Sequence, residues 1–375
     1  MKRHKLLLLL VIFVTFLGGF CTGVLYSSLD DPKTSGELKA GKNYQSEKSL
    51  QFKETPKLEL TQKRVLIGYM QDFRDPNSVN YEDLTHLIFS FAHPTKDGDL
   101  LFSSDDARNN LRDIVSKASQ HDTKVMLALG GWYHVQGGES YDYFKAAISK
   151  PASRTKLVGK INQVVEEEKL DGIDIDFEHP RSQEDARNLA SFVKELSKSL
   201  HDKNKELSIA VNAKVHSVAG TEINNVVYEP TMFENVDHVN IMAYDGQWDG
   251  EYNAANLSPY QYNENIVDYW TSLFERCGIS KEKLVLGIPL YAQPEDPNTK
   301  QVSYNTVIEN NPENAERDVV TLNGTTYYYN GEKSVQKKTN LAMDNGLGGM
   351  MLWEVGLDTK GQHSLTAFIA EELNN

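Results

Sequence analysis

The stretch Asp171-Gly172-Ile173-Asp174-Ile175-Asp176-Phe177-Glu178 concentrates the residues that could do chemistry. Apolar and acidic residues alternate with period two, which predicts a strand. Ile173, Ile175 and Phe177 then share one face, and Asp174, Asp176 and Glu178 share the other. Three carboxylates on one face of a buried strand are costly unless they are paired or protonated. A solvated edge strand would avoid that cost, but here the opposite face is wholly apolar. A hard cation would also hold carboxylates, but it wants more oxygen ligands than one strand supplies, and no histidine shares the face. No metal is therefore expected. Proton transfer is the chemistry that uses the crowding, because neighbouring carboxylates cannot all ionise and their pKa values are pushed up. Glu178 is expected to stay protonated and donate to a leaving oxygen. Asp176, one step deeper, would exchange a proton with it or orient a substrate group, and Asp174 would tune Asp176.

Such a strand needs a scaffold that opens its C-terminal end. Short apolar runs recur at Val65–Tyr69, His86–Phe91, Val125–Leu129, Gly172–Phe177, Leu207–Val211, His238–Met242, Leu284–Leu290 and Gly349–Trp353. They alternate with amphipathic segments, which predicts an α/β fold, a (β/α)8 TIM barrel whose active site lies at the C-terminal ends of its strands. The clearest helical segment is Ser182–Leu200, with Ser182 and Asp185 as a capping box and Leu189, Phe192, Val193, Leu196 and Leu200 on one face. Ala107–Ala118 is a second, and Val335–Asn345, stopped by Gly346, is a third. Between the seventh and eighth strands, Asn323-Gly324 sits among β-formers, which predicts a short β-hairpin insertion over Val319–Tyr329.

The chain has 375 residues, 39% hydrophobic and 25% charged, the balance of an ordinary globular protein. A net charge of -14 repels phosphate backbones and argues against a nucleic-acid partner. The two cysteines, Cys21 and Cys277, cannot build a disulfide framework or a cysteine metal site. At the N-terminus Lys2, Arg3 and Lys5 precede an apolar run from Leu6 to Phe20, the pattern of an export signal. Residues 1–26 are expected to be either a cleaved signal peptide or a retained membrane anchor, since about 20 apolar residues suffice to span a bilayer. A lipoprotein cleavage box at Leu17–Cys21 fits less well, because the bulky Phe20 directly precedes the cysteine. Residues 27–61 are polar and read as a linker, and residues 62–375 as the barrel. The expected location is extracellular, secreted or held at the cell surface, and the expected state is a monomer.

The acidic strand resembles the signature of glycoside hydrolase family 18, the chitinase family. Other stretches resemble the same family in chain order: Leu127-Ala128-Leu129-Gly130-Gly131-Trp132 its third strand, Asn240-Ile241-Met242-Ala243-Tyr244-Asp245 its sixth, Leu286–Tyr291 its seventh and Gly348–Trp353 its eighth. The resemblance implies cleavage of β-1,4-linked N-acetylglucosamine polymers by a retaining mechanism in which the substrate's own acetamide is the nucleophile. It implies Glu178 as acid and base, Asp176 as partner of the acetamide N–H, and Tyr244 as holder of the acetamide oxygen. Trp353 would be the sugar platform, and Met242, Asp245, Tyr69, Gly130, Gly131 and Trp132 would belong to the binding site. It implies no cofactor, and chitin or another N-acetylglucosamine glycan as partner.

One position departs from the family pattern. Ala128 stands where the family has a serine supporting the innermost aspartate. Asp174 is thereby expected to drift upward in pKa unless another donor replaces it. The short insertion implies an open cleft and internal cuts. Two alternatives remain at this stage: an endo-β-N-acetylglucosaminidase acting on N-glycans or peptidoglycan, and a non-catalytic chitin-binding lectin.

Overall fold

Eight parallel strands form the core of the molecule: β1 (Val65–Gln71), β2 (His86–Pro94), β3 (Lys124–Gly130), β4 (Gly172–Asp176), β5 (Glu206–Asn212), β6 (His238–Met242), β7 (Leu284–Pro289) and β8 (Gly349–Trp353). Each pairs with its neighbour in sequence, and β8 pairs back onto β1, so the sheet closes into a barrel. The computed structural model describes residues 64–216, 226–246 and 251–374, with backbone alone for 222 and 223. The expected signal or anchor (1–26) and linker (27–61) lie outside the described residues. Among the described residues no helix is long and apolar enough to cross a membrane.

The alternation along the strands divides apolar side chains between two layers. Ile173, Ile175 and Phe177 join the layer between barrel and helices, where Phe177 stacks on Tyr141 and Phe144. Ile67, Tyr69, Ile88, Met126, Ala128, Tyr244, Val285 and Met351 fill the barrel interior. Asp174 and Asp176 point into that interior and are buried.

Among the described residues the α-helices are α1 (Asp105–Ala118), α2 (Ser140–Ser149), α3 (Pro151–Glu167), α4 (Gln183–His201), α5 (Tyr260–Cys277), α6 (Tyr304–Asn310), α7 (Glu332–Asp344) and α8 (Leu365–Asn374). In α4 the Ser182 hydroxyl accepts from the Asp185 N–H, and Asp185 reaches back to the Arg181 N–H, one residue before the expected reciprocal partner. Leu189, Phe192, Val193, Leu196 and Leu200 are fully buried, each contributing about 1.5–3 kcal/mol against exposure. The alternation is not strict. Residues 72–85, between β1 and β2, are rich in turn formers and contain only two 3₁₀ turns. Between β5 and β6 the described residues hold a 3₁₀ segment, Pro230–Asn235, in place of an α-helix.

The predicted hairpin is present, Val319–Leu322 against Thr325–Tyr328, with Asn323 and Gly324 both at positive φ as a tight turn requires. It is half of a larger insertion. The chain leaving β7 continues as strand Tyr291–Pro294, which pairs with Thr325–Tyr328 on one side and with Val302–Ser303 on the other. Helix α6 lies within the same insertion.

Candidate active site

Asp174 sits deepest on β4. Its carboxylate accepts from the Tyr69 hydroxyl at 2.9 Å, from the Ser208 hydroxyl at 2.5 Å and from the Asn240 amide at 3.3 Å. The Asn240 amide also donates to the Tyr69 hydroxyl at 2.9 Å. Burial outweighs these three donors and pushes the Asp174 carboxyl up to about 6. Ala128 is the register partner of Asp174 on β3, and Ser208 is its partner on β5. A hydroxyl from the opposite side therefore supports the aspartate where β3 supplies none.

Asp176 is one pleat higher. Burial first, then the charges of Glu178 and Asp174, raise its pKa well above the ordinary carboxylate range. Its Oδ1 is buried without a hydrogen-bond partner in the protein. Its backbone carbonyl accepts from the Gly131 N–H at 2.9 Å. A Cβ on Gly130, whose φ is +117°, would lie 2.1 Å from that carbonyl oxygen, so only glycine lets β3 approach here. Gly130 and Gly131 thus shape the wall behind the carboxylates and do not line the cavity.

Glu178 lies two residues beyond the last strand residue of β4. Burial, then the nearby Asp245 charge, push its carboxyl up to about 7. Tyr244 is buried, and burial and the surrounding carboxylates hold its phenol well above its ordinary pKa, so the hydroxyl stays a donor. The Tyr291 hydroxyl donates to Asp245, which adopts φ 55° at the mouth of β6. Trp353 at the end of β8 is held between Tyr69 (centroids 5.7 Å apart) and Phe91 (5.9 Å).

These groups converge on a cavity of about 330 Å³ lined by Tyr69, Trp132, Asp176, Glu178, Ala210, Met242, Tyr244, Asp245 and Trp353. Eight of these nine were singled out in the sequence. Asp174 lies beneath the floor, hydrogen-bonded to Tyr69. Ser208, Asn240 and Tyr291 were not singled out. The period-two pattern of β5 puts Ser208 on the inward face, and that was the available signal for it. A larger concavity of about 780 Å³ lies against the N-terminal ends of β3 and β4, lined among others by Arg112, Lys124, Glu168 and Asp171. Glu167 and Glu168 there are held in ion pairs with Arg108 and Arg112, and Asp171 accepts from the Val125 N–H, so the smaller cavity is the chemical one.

A closed parallel barrel with a stack of carboxylates opening under an aromatic platform defines a barrel glycoside hydrolase. The chain belongs to the glycosyl hydrolases family 18, whose family model matches residues 65–358. Endochitinase 1 of Metarhizium robertsii is 24% identical over 361 residues, covering 80% of this chain and 81% of that protein. Probable chitinase 10 of Drosophila melanogaster is 28% identical over 239 residues, but the match spans 58% of this chain and only 10% of that much longer protein. A chitinase-like effector of Moniliophthora roreri is 28% identical, with 56% of its length covered. Among solved structures, the GH18 chitinase ChiB of Flavobacterium johnsoniae superposes with a TM-score of 0.68 at 26% identity, covering 83% of this chain and 94% of that one. A chitinase from Bacteroides thetaiotaomicron has the same fold, with a TM-score of 0.68 at 24% identity over 83% of this chain and 96% of that one.

Proposed function

We propose that the protein is a chitinase, hydrolysing β-1,4-linked N-acetylglucosamine chains with retention and with the substrate's acetamide as nucleophile. The observation that carries this reading is the pair Asp176 and Glu178. One is a buried carboxyl with an oxygen lacking a protein partner, the other a carboxyl whose pKa lies near neutrality.

Glu178 protonates the glycosidic oxygen as the bond breaks. The acetamide carbonyl oxygen attacks the anomeric carbon and forms an oxazolinium ion, while the protein supplies no carboxylate nucleophile. Asp176 accepts from the acetamide N–H and stabilises the positive charge. Tyr244 donates to the acetamide oxygen and holds it in line, which is catalysis by positioning. The sugar stacks on Trp353, and Met242, Asp245, Tyr69 and Trp132 surround it. Glu178, now a carboxylate, removes a proton from the water that opens the oxazolinium ion. Protonation and substrate assistance suffice, so the reaction needs no cofactor. The exposed aromatic Trp132 at the cleft edge is consistent with binding along a chain and cutting within it. The basic and apolar N-terminus supports an extracellular location, with residues 1–26 as signal or anchor and 27–61 as a spacer for the barrel.

The test is hydrolysis of chitotetraose beside an N-glycosylated protein and purified peptidoglycan, wild type against Glu178→Gln, with products read by mass. Chitotetraose cleavage that disappears in the variant supports the proposal. Release of glycans or muropeptides alone would move the substrate to an endo-β-N-acetylglucosaminidase. Binding of chitotetraose with no cleavage of any of the three would replace the enzyme by a lectin.

A further inference from the structure

The opposite end of the barrel carries a second cluster that the sugar chemistry does not use. His86, Glu206 and His238 are the first residues of β2, β5 and β6, so all three stand at the N-terminal mouth. One imidazole nitrogen from each histidine and one oxygen of Glu206 lie within 4.8 Å of one another. We propose that His86, Glu206 and His238 form a binding site for a divalent transition-metal ion of the zinc class.

The hydrogen bonds around His86 argue for this. The Thr85 hydroxyl accepts from the Leu66 N–H at 2.9 Å and donates to the Leu66 carbonyl at 3.0 Å. His86 Nδ1 lies 2.8 Å from the same hydroxyl, and because the Leu66 carbonyl also accepts from the Thr85 N–H, the hydroxyl can serve the ring as donor or as acceptor. His86 Nε2 faces Glu206 Oε2 at 2.9 Å. In the tautomer with the proton on Nδ1, the Nε2 lone pair faces the carboxylate, and a metal ion between the two atoms would bind both.

The surroundings match those of a metal centre. A ligating histidine characteristically donates its other ring N–H to a fixed oxygen, and the Thr85 hydroxyl, 2.8 Å from His86 Nδ1, is placed to receive it. The second oxygen of Glu206 accepts from Lys124, which orients the carboxylate and leaves Oε2 toward the histidines. His238 packs edge-on to His86, ring centroids 5.1 Å apart, and its buried Nδ1 has no partner in the protein. Two histidines and a carboxylate with room for water are a zinc donor set. Bonds of about 2.0–2.1 Å give tetrahedral ligand separations of about 3.3 Å, so His86 and Glu206 are nearly in place and His238 has to swing inward. A concavity of about 360 Å³ lined by Thr85, His86 and Lys124 among others provides the way in from solvent. The Lys124 ammonium opposes a second cation and moderates the affinity.

The experiment is calorimetric titration of the full chain with zinc chloride near neutral pH, wild type against His238→Ala and Thr85→Val. Thr85→Val keeps all three ligands and removes only the hydroxyl that orients His86, so it stays informative should His238→Ala fail to fold. One ion per chain is expected, weakened at least about tenfold in each variant. Cobalt(II) should give the visible absorption of a tetrahedral nitrogen–oxygen site in the wild type and lose it in His238→Ala. Absence of zinc binding in the wild type, or binding unchanged in both variants, would overturn the proposal and leave His86–Glu206 an ion pair only. The readout is metal binding, so it is independent of what the sugar-cleaving end does.

Discussion

The Ser208 hydroxyl donates to the Asp174 carboxylate at 2.5 Å from the strand on one side, while Ala128, in register on the other side, offers only a methyl group. The innermost aspartate is thus supported by a hydroxyl from β5 and by none from β3. Ser208→Ala is expected to lower kcat about tenfold, the worth of one hydrogen bond to a charged group. Ala128→Ser placed in that background should restore much of the loss. Steady-state kinetics on a chromogenic chito-oligosaccharide checks both, and a kcat untouched by Ser208→Ala would remove Ser208 from the support of Asp174.

Glu178 must carry a proton to act as acid, and its carboxyl is pushed up to about 7. The rate is therefore expected to hold on the acid side and to fall as pH rises through about 7. The limb belongs to the coupled Asp176–Glu178 pair and not to one group. Asp245→Asn removes the charge named after burial as the cause of that shift. The alkaline limb should then move to lower pH. A pH–rate profile of wild type and variant measures the move, and a shift in the opposite direction would contradict the electrostatic assignment.

Asp174 also makes stability depend on pH. Its folded value of about 6 lies above the ordinary 3.8, so the folded state holds the proton more tightly than the unfolded chain. The stabilising contribution is full below about pH 4 and is lost as pH climbs through about 6, on the order of 3 kcal/mol in all. Asp174→Asn is expected to flatten this part of the profile. Melting temperatures between pH 4 and 7 provide the comparison, with parallel curves for the two proteins counting against it.

Lys338 is fully buried in α7, and its ammonium donates to the Ser258 carbonyl, to the Ser258 hydroxyl at 2.7 Å and to Asn330 at 2.6 Å. Ser258 in turn donates to the Ala243 carbonyl at 2.7 Å, next to Tyr244. Lys338→Ala leaves Asn330 Oδ1 without its donor, takes one donor from each Ser258 oxygen and opens a cavity, and should cost about 2–4 kcal/mol of stability. Denaturant unfolding reads the cost. At a temperature where the variant stays folded, kcat should fall as well, because Ser258, which holds the turn carrying Tyr244, loses part of its own support.

Much of this architecture was legible because it rests on periodicity. Two strand ranges, His238–Met242 and Gly349–Trp353, were read residue for residue, and the carboxylate face of β4 followed from alternation alone. The α4 cap at Ser182 was readable for the same local reason. What escaped was set by partners distant in sequence. Ser208 is an unremarkable strand serine until β5 lies beside β4, and Tyr291 is a strand-end aromatic until β6 brings Asp245 under it. The insertion was half seen, since Asn323-Gly324 announces its own hairpin while Tyr291–Pro294 is too short to carry a pattern. The cluster of His86, Glu206 and His238 spans three strands and left no local motif.

The continuity of β7 with strand Tyr291–Pro294 bears on how such enzymes can be recombined. The first residue of the insertion is the one whose hydroxyl grips Asp245, so the insertion and a contact that bears on the electrostatics of the cleft are inherited together. A chimera that exchanges this region for a relative's must place its junction after Tyr291. A junction before it would carry over a foreign contact to Asp245 and retune the acid along with the substrate groove.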